Sequence, residues 1–180
     1  MLQFTGKMNY SEDSVYKLTE MQHRTFQSGT RLATFAFAVV LLLIGFSLGI
    51  SSAFGICALF VGCIFITSIN ARSRNTAKTL ISQLNGNYPH MVYEFTDSGF
   101  SSTEESERTR YSSVLRLIDD GSYLYIYVTE AKAYMIEKSS VVSVGNKNDF
   151  LDFIAEKTGL SWERPTTIMN MNIRSLRNKK

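Results

Sequence analysis

Residues 32–71 read LATFAFAVVLLLIGFSLGISSAFGICALFVGCIFITSINA, forty positions without one Asp, Glu, Lys, Arg or His. All 19 Lys and Arg and all 16 Asp and Glu lie outside this stretch, a division that a soluble chain of 180 residues does not make. Two apolar runs can be read in it, at about 32–50 and 53–70. Each is about 17–19 residues, or about 26–28 Å of helix, close to the hydrocarbon thickness of a bilayer. Ser51-Ser52, with Gly49 and Gly55 on either side, supplies a tight turn. One unbroken helix would overshoot the membrane, so the pattern predicts a two-helix transmembrane hairpin over residues 32–71.

The flanks set its orientation. His23, Arg24 and Arg31 precede the first run, Arg72, Arg74 and Lys78 follow the second, and the turn carries no charge. The positive-inside rule then predicts a multi-pass protein with both termini cytoplasmic. The charged, structured segment before Leu32 argues against a signal peptide. The net charge of +3 is too slight and too dispersed for a nucleic-acid partner.

Within the hairpin, Gly45 and Gly49 are spaced G-x-x-x-G, and Ala58 and Gly62 repeat the small-x-x-x-small spacing. Such stripes let helices approach closely, either inside the hairpin or between two copies in a homodimer. Cys57 and Cys63 are six residues apart on one helix, too far for a disulfide, and read as small apolar residues. Thr34, Ser47 and Thr67 are only mildly polar, and no ionisable group marks an ion or proton path.

Outside the hairpin the chain divides into 1–31 (strand and helix), 72–87 (helix), 88–162 (a β-rich domain) and 163–180 (a basic tail). Residues 1–8 alternate as a short strand. Ser11 is placed to cap a helix with Glu12 and Asp13 in its first turn and Val15, Leu18, Met21 and Phe26 as its apolar stripe. Ala77, Leu80, Ile81 and Leu84 give a second stripe that Gly86 ends. From His90 the period becomes two. Strands are predicted at 91–96, 100–103, 109–117, 123–129 and 133–136, with turns at Asp97-Ser98-Gly99, 104–108, Asp119-Asp120-Gly121 and 130–132. Asn148 is the expected N-cap of a closing helix whose apolar face is Phe150, Leu151, Phe153, Ile154 and Leu160. The fold class is α+β: a membrane hairpin plus a small antiparallel meander closed by a C-terminal helix.

The strand at 123–129 places Tyr123, Tyr125 and Tyr127 on one face and Leu124, Ile126 and Val128 on the other. One face should pack on the closing helix. The tyrosine face is then either a contact platform for a partner or lipid, or ordinary cross-strand packing. No residue pattern suggests catalysis, a cofactor or a metal. His23 reads as an orienting residue at the membrane and His90 as a linker residue. Glu104, Glu105 and Glu107 read as a solvated hairpin tip. Arg174, Arg177, Lys179 and Lys180, with Ile168, Met169, Met171, Ile173 and Leu176 before or among them, suit either contact with anionic lipid, about 1 kcal/mol per charge, or a solubilising terminus.

The hairpin's position, the run Tyr93-Glu94-Phe95-Thr96-Asp97-Ser98-Gly99, then Tyr111-Ser112-Ser113-Val114 and Tyr134-Met135-Ile136-Glu137-Lys138 together resemble the YcxB-like family of bacterial membrane proteins. Glu137 stands where the family tends to have Pro. The resemblance covers most of residues 88–160. It implies a bacterial cell-membrane protein with a cytoplasmic β-rich domain similar in shape to a pleckstrin-homology module, and it brings no catalytic residues. The expected function is a non-enzymatic, membrane-anchored interaction or regulatory protein whose domain binds a protein partner or lipid headgroup. An immunity-type protein is one version by analogy. The alternative is a membrane-tethered enzyme or an accessory subunit of a transport complex.

Overall fold

The computed structural model describes residues 1–105, 107–144 and 149–165. It is α+β and divides into two compact units, one built from residues 1–18 and 84–165, the other from residues 19–83.

The first unit begins with β1 (Leu2–Asn9), where Phe4, Gly6 and Met8 alternate inward. Its partner is β2 (His90–Thr96), which lies 80 residues further along the chain. The two run antiparallel from Leu2↔Thr96 to Asn9↔His90, and the Tyr10 N–H continues the ladder to the Pro89 carbonyl at 3.2 Å. The helical part of the chain is therefore an insertion into a β-hairpin. β3 (Phe100–Ser102) and β7 (Val142–Ser143) complete a sheet of order β3-β2-β1-β7.

The expected single meander is instead two sheets. β4 (Arg116–Asp119), β5 (Tyr123–Tyr127), β6 (Ala133–Glu137) and β8 (Trp162–Glu163) form the second, in the order β6-β5-β4-β8. The break falls within the predicted strand 109–117. There Thr109 makes only an isolated bridge to Phe100, and Tyr111–Ser113 tightens into a 3-10 turn that redirects the chain. β8 lies parallel to β4, with Leu117 opposite Trp162.

An aromatic core joins these parts. Phe4 packs on Phe150 and Phe153 at 5.4 and 5.2 Å, Phe95 on Phe150 at 4.8 Å, and Phe100 on Tyr134 at 4.9 Å. Phe150, Phe153 and Ile154 are the buried face of α5 (Phe150–Thr158). Its cap is Asp149, whose Oδ1 accepts the Leu151 N–H at 2.8 Å, and not Asn148, which lies outside the described residues. Gly6 is demanded by this packing, because a Cβ there would stand 2.7 Å from Ile136 Cγ2.

The inserted segment contains α1 (Glu12–Phe26), α2 (Ser28–Leu48), α3 (Ala53–Ser68) and α4 (Ala71–Leu84). Ser11 caps α1 as expected: its Oγ accepts the Ser14 N–H at 3.3 Å, while Ser14 Oγ accepts the Ser11 N–H at 2.8 Å. α2 and α3 pack as an antiparallel hairpin. Contacts run from Phe37–Phe65, with ring centres 5.2 Å apart, through Ala38–Gly62 and Leu42–Gly62, to Gly45–Leu59 and Gly49–Gly55. Of the expected stripe, Gly45 and Gly62 are buried in this contact, and the other two positions differ. Gly49, at φ 74°, ends α2 rather than extending a face, Ala58 is only half-buried, and Gly55 is a buried helical contact residue, not a turn residue. α2 is long and apolar enough to cross a membrane by itself, while α3 passes that test only jointly with α4, across a 44° bend.

A side chain at Gly55 would drive into the Gly49 carbonyl, which cannot swing aside as a side chain can. Gly55→Ala is expected to destabilise the hairpin by about 1–3 kcal/mol. Gly29→Ala, in α2 with open space around it, is expected to be neutral or stabilising by up to about 1 kcal/mol. Thermal unfolding of the two variants in detergent, followed by helical circular dichroism, measures the contrast.

Candidate functional site

β5 is flanked by β4 and β6, and its two faces have different environments. Leu124 and Ile126 lie opposite Ile136 and Tyr134 on β6, and Tyr134 reaches the other sheet by stacking edge-on against Tyr93 and Phe100. This face is the interior of the sandwich. The tyrosine face, with Ile118 and Met135 as cross-strand neighbours, is also covered: Tyr125 and Tyr127 are 0 % exposed. Their rings stack at 6.4 Å, and the Tyr125 hydroxyl donates to Asp120 Oδ2 at 2.9 Å. Burial, and then the Asp120 carboxylate, push the Tyr125 phenol well above its ordinary pKa. Tyr123 is half-buried, with the Lys17 ammonium 5.3 Å from its ring centre. The ladder is therefore packing and not an open platform. Alternation correctly separated the two faces, but it carries no information on whether the second is covered.

The acidic residues serve local structure. Asp120 Oδ1 accepts the N–H groups of Ser122 and Tyr123, and Asp119 accepts the Gly121 N–H through Oδ1 and Lys138 Nζ through Oδ2 at 2.6 Å. The open depression beside this turn, lined by Ser122, Tyr123, Glu137 and Lys138, has its cation already engaged. Glu104 and Glu107 are exposed, as a hairpin tip requires, but Glu105 is not simply solvated. It pairs with Lys132 at 2.5 Å and accepts the Tyr134 hydroxyl at 2.7 Å. Its burial raises its pKa, and these two donors outweigh that and hold it below the usual carboxylate value. His90 is a strand residue and not a linker: it opens β2, with Nδ1 2.9 Å from Asn9 Oδ1. Arg174, Arg177, Lys179 and Lys180 lie outside the described residues.

A second concave site belongs to the helical unit. It is lined by Thr19, Gln22, His23, Gln27, Arg72, Ser73 and Thr76, all polar, with no carboxylate among them. His23 is only 8 % exposed. Burial, reinforced by the charges of Arg31 and Arg72, lowers its pKa against the opposing influence of the Ile69 backbone and the Gln27 side chain, so its imidazole is neutral at pH 7. Arg31 is 7 % exposed and donates from Nη2 to Asn70 Oδ1 at 3.1 Å, tying the start of α2 to the residue that precedes α4. Its Nε is buried without a hydrogen-bond acceptor among the described residues. The sequence marked these cations only as topology signals. That they gather at one place depends on a contact between residues 39 apart, which no local pattern carries.

Among the described residues no group of three or more His, Cys, Asp or Glu is arranged to hold a metal ion. Removing the Tyr125 side chain is expected to destabilise the β unit by about 3–5 kcal/mol, whereas Tyr125→Phe, which loses only the hydroxyl contact, is expected to cost about 1 kcal/mol. Urea unfolding of the two variants checks this.

Residues 95–154 match the family model described as YcxB-like protein. The match begins in β2 and ends in α5, leaving out β1 and all four inserted helices. No curated protein and no solved structure matches the chain.

Proposed function

We propose, for a chain that carries a YcxB-like domain at residues 95–154, that α2 and α3 span a bacterial cell membrane twice and anchor a cytoplasmic, non-enzymatic interaction module. The observation that carries this reading is the pairing of β1 with β2 on either side of the helical insertion. Strands of one sheet occupy one compartment, so the segment between them crosses a bilayer an even number of times or not at all. An N-terminal signal sequence removed after α2 would take β1 with it.

The surface of the helices favours two crossings over none. Leu43, Phe46, Phe54 and Phe60 are 62 %, 72 %, 81 % and 67 % exposed, so the hairpin presents large apolar side chains on its outside. In water such a face is a liability; in lipid it is the ordinary state. Only 17 % of the apolar window of α2 is buried, unlike the core helix of a soluble protein. α3 has 16 residues, about 24 Å of helix, which suits a bilayer that thins locally or a span extended by the flanking turns. Arg31, Arg72, Arg74 and Lys78 at the open end favour the cytoplasmic side for that end and for both termini.

Two sheets packed face to face with a helix after them are consistent with a pleckstrin-homology-like shape. The β unit also keeps Leu115, Val142 and Val144 more than half exposed, with Val142 on the two-residue edge strand β7. Apolar side chains at a sheet edge suit a protein partner, and this is the contact we assign to the module.

Cysteine labelling tests the topology once Cys57 and Cys63 are replaced by Ala. A membrane-impermeant maleimide is expected to label Ser51→Cys in intact cells and Ser139→Cys only after permeabilisation. Labelling of Ser139→Cys in intact cells would refute the orientation. With topology established, a photo-reactive residue at position 142 is expected to yield an adduct of defined size in living cells, and none from position 142 or 115 would contradict the interaction role.

A further inference from the structure

The polar pocket of the helical unit is built like an anion site. Residues 19–83 contain four Arg and one Lys but a single acid, Glu20, and that acid is held by Arg24 at 2.5 Å. Among the described residues, Arg72 on the pocket wall has no ion-pair partner. Arg31, more than nine-tenths buried close by, has the Asn70 amide oxygen as its side-chain partner and, among the described residues, no acceptor for its Nε. A guanidinium in such surroundings normally meets a carboxylate or a phosphate.

The pocket also receives the start of α4. This helix has no acidic residue in its first turn, so the positive end of its dipole is uncompensated there. Ser73 and Thr76, from its first two turns, line the wall, but their hydroxyls donate to the Asn70 and Arg72 carbonyls at 3.0 and 3.1 Å and His23 is engaged by the Ile69 backbone and Gln27, so the Arg72 guanidinium is the donor the wall offers. A guanidinium beside a helix N-terminus is a usual phosphate-binding arrangement.

Its location selects the source of the phosphate. Gln27 immediately precedes α2, and Arg72 lies four residues beyond the end of α3, so the wall is drawn from both segments that bound the apolar hairpin. On the reading of α2 and α3 as membrane spans, this is the level of the lipid headgroups. We propose that the pocket lined by His23, Arg72, Ser73 and Thr76, backed by Arg31, binds the phosphate group of an anionic phospholipid of the cytoplasmic leaflet. The lipid would neutralise the cations that the fold gathers where the helices leave the membrane.

The test uses the full-length protein in mixed micelles of equal parts phosphatidylglycerol and phosphatidylcholine, with retained lipid identified by native mass spectrometry. The wild type is expected to retain phosphatidylglycerol over phosphatidylcholine by about tenfold. Arg72→Gln, at an exposed position that should leave folding intact, is expected to remove that preference. Arg74→Gln deletes the same charge two residues away, outside the pocket, and is expected to keep it. Equal loss in both variants would mean diffuse attraction to a basic surface and would overturn the site. No preference in the wild type would overturn it as well. If inorganic phosphate in phosphatidylcholine micelles raises the melting temperature as much as phosphatidylglycerol does, and Arg72→Gln abolishes both effects, the ligand is a soluble phosphate and the lipid assignment fails. The inference rests on the membrane reading, which the maleimide experiment tests separately. Correct labelling with no lipid preference would defeat the pocket alone.

Discussion

Eight residues of β1 laid antiparallel against β2 are the contact on which the rest of the molecule depends. Without it the N-terminal strand would be a loose end, the first sheet would lose an interior member, and Phe4 would leave the aromatic cluster it shares with Phe150 and Phe153. The same contact constrains the helices. They must depart from Tyr10 and return to Pro89, two residues joined by a backbone hydrogen bond. An apolar segment held in this way can be a loop out of a compartment and back, but not a one-way crossing. A β-ladder inside one unit thereby restricts the topology of a separate unit.

Much of this was legible in the sequence where the signal is local. The charge-free run announced the hairpin, Ser51-Ser52 its turn, Ser11 the cap of α1, and the alternation from His90 most of the strands. What was not legible is non-local. Residues 1–8 look like a strand, but nothing in them names a partner 80 residues away. The two-residue strands β7 and β8 are too short to show a period, and they exist because neighbouring strands offer free edges. The split into two sheets turns on the 3-10 turn at Tyr111, where the residues have ordinary strand composition. Gly55 was read as punctuation because glycine beside a turn usually is, and only the approach of the Gly49 carbonyl reveals it as a packing residue.

The candidate sites divide in the same way. A strand with tyrosine at every second position invites a reading as a binding surface, yet in this fold both of its faces are interior, and the hydroxyl of Tyr125 closes onto the Asp120 turn that shapes its own hairpin. Conversely, His23, Arg31 and Arg72 read as scattered flanking charges, and they converge because the hairpin returns its end to its beginning. Within residues 19–83 the fold gathers this positive charge, and Glu20 is the one acid of that segment. The recurring logic is that interactions across the insertion, and not runs of neighbouring residues, create both the core and the most chemically distinctive pocket.

The pairing of β1 with β2 across the helical insertion is central, and a disulfide across that ladder tests it most directly. Thr5 and Glu94 are opposite one another, and directly opposed antiparallel residues have Cα atoms about 4.5–5.5 Å apart, within disulfide reach. In membranes containing the Thr5→Cys, Glu94→Cys variant with Cys57 and Cys63 replaced by Ala, mild oxidation followed by cleavage at a protease site introduced at Ser51-Ser52 should leave the two fragments covalently joined until reductant is added. Fragments that separate without reductant, although both thiols react with maleimide, would contradict the pairing and with it the argument for an even number of crossings.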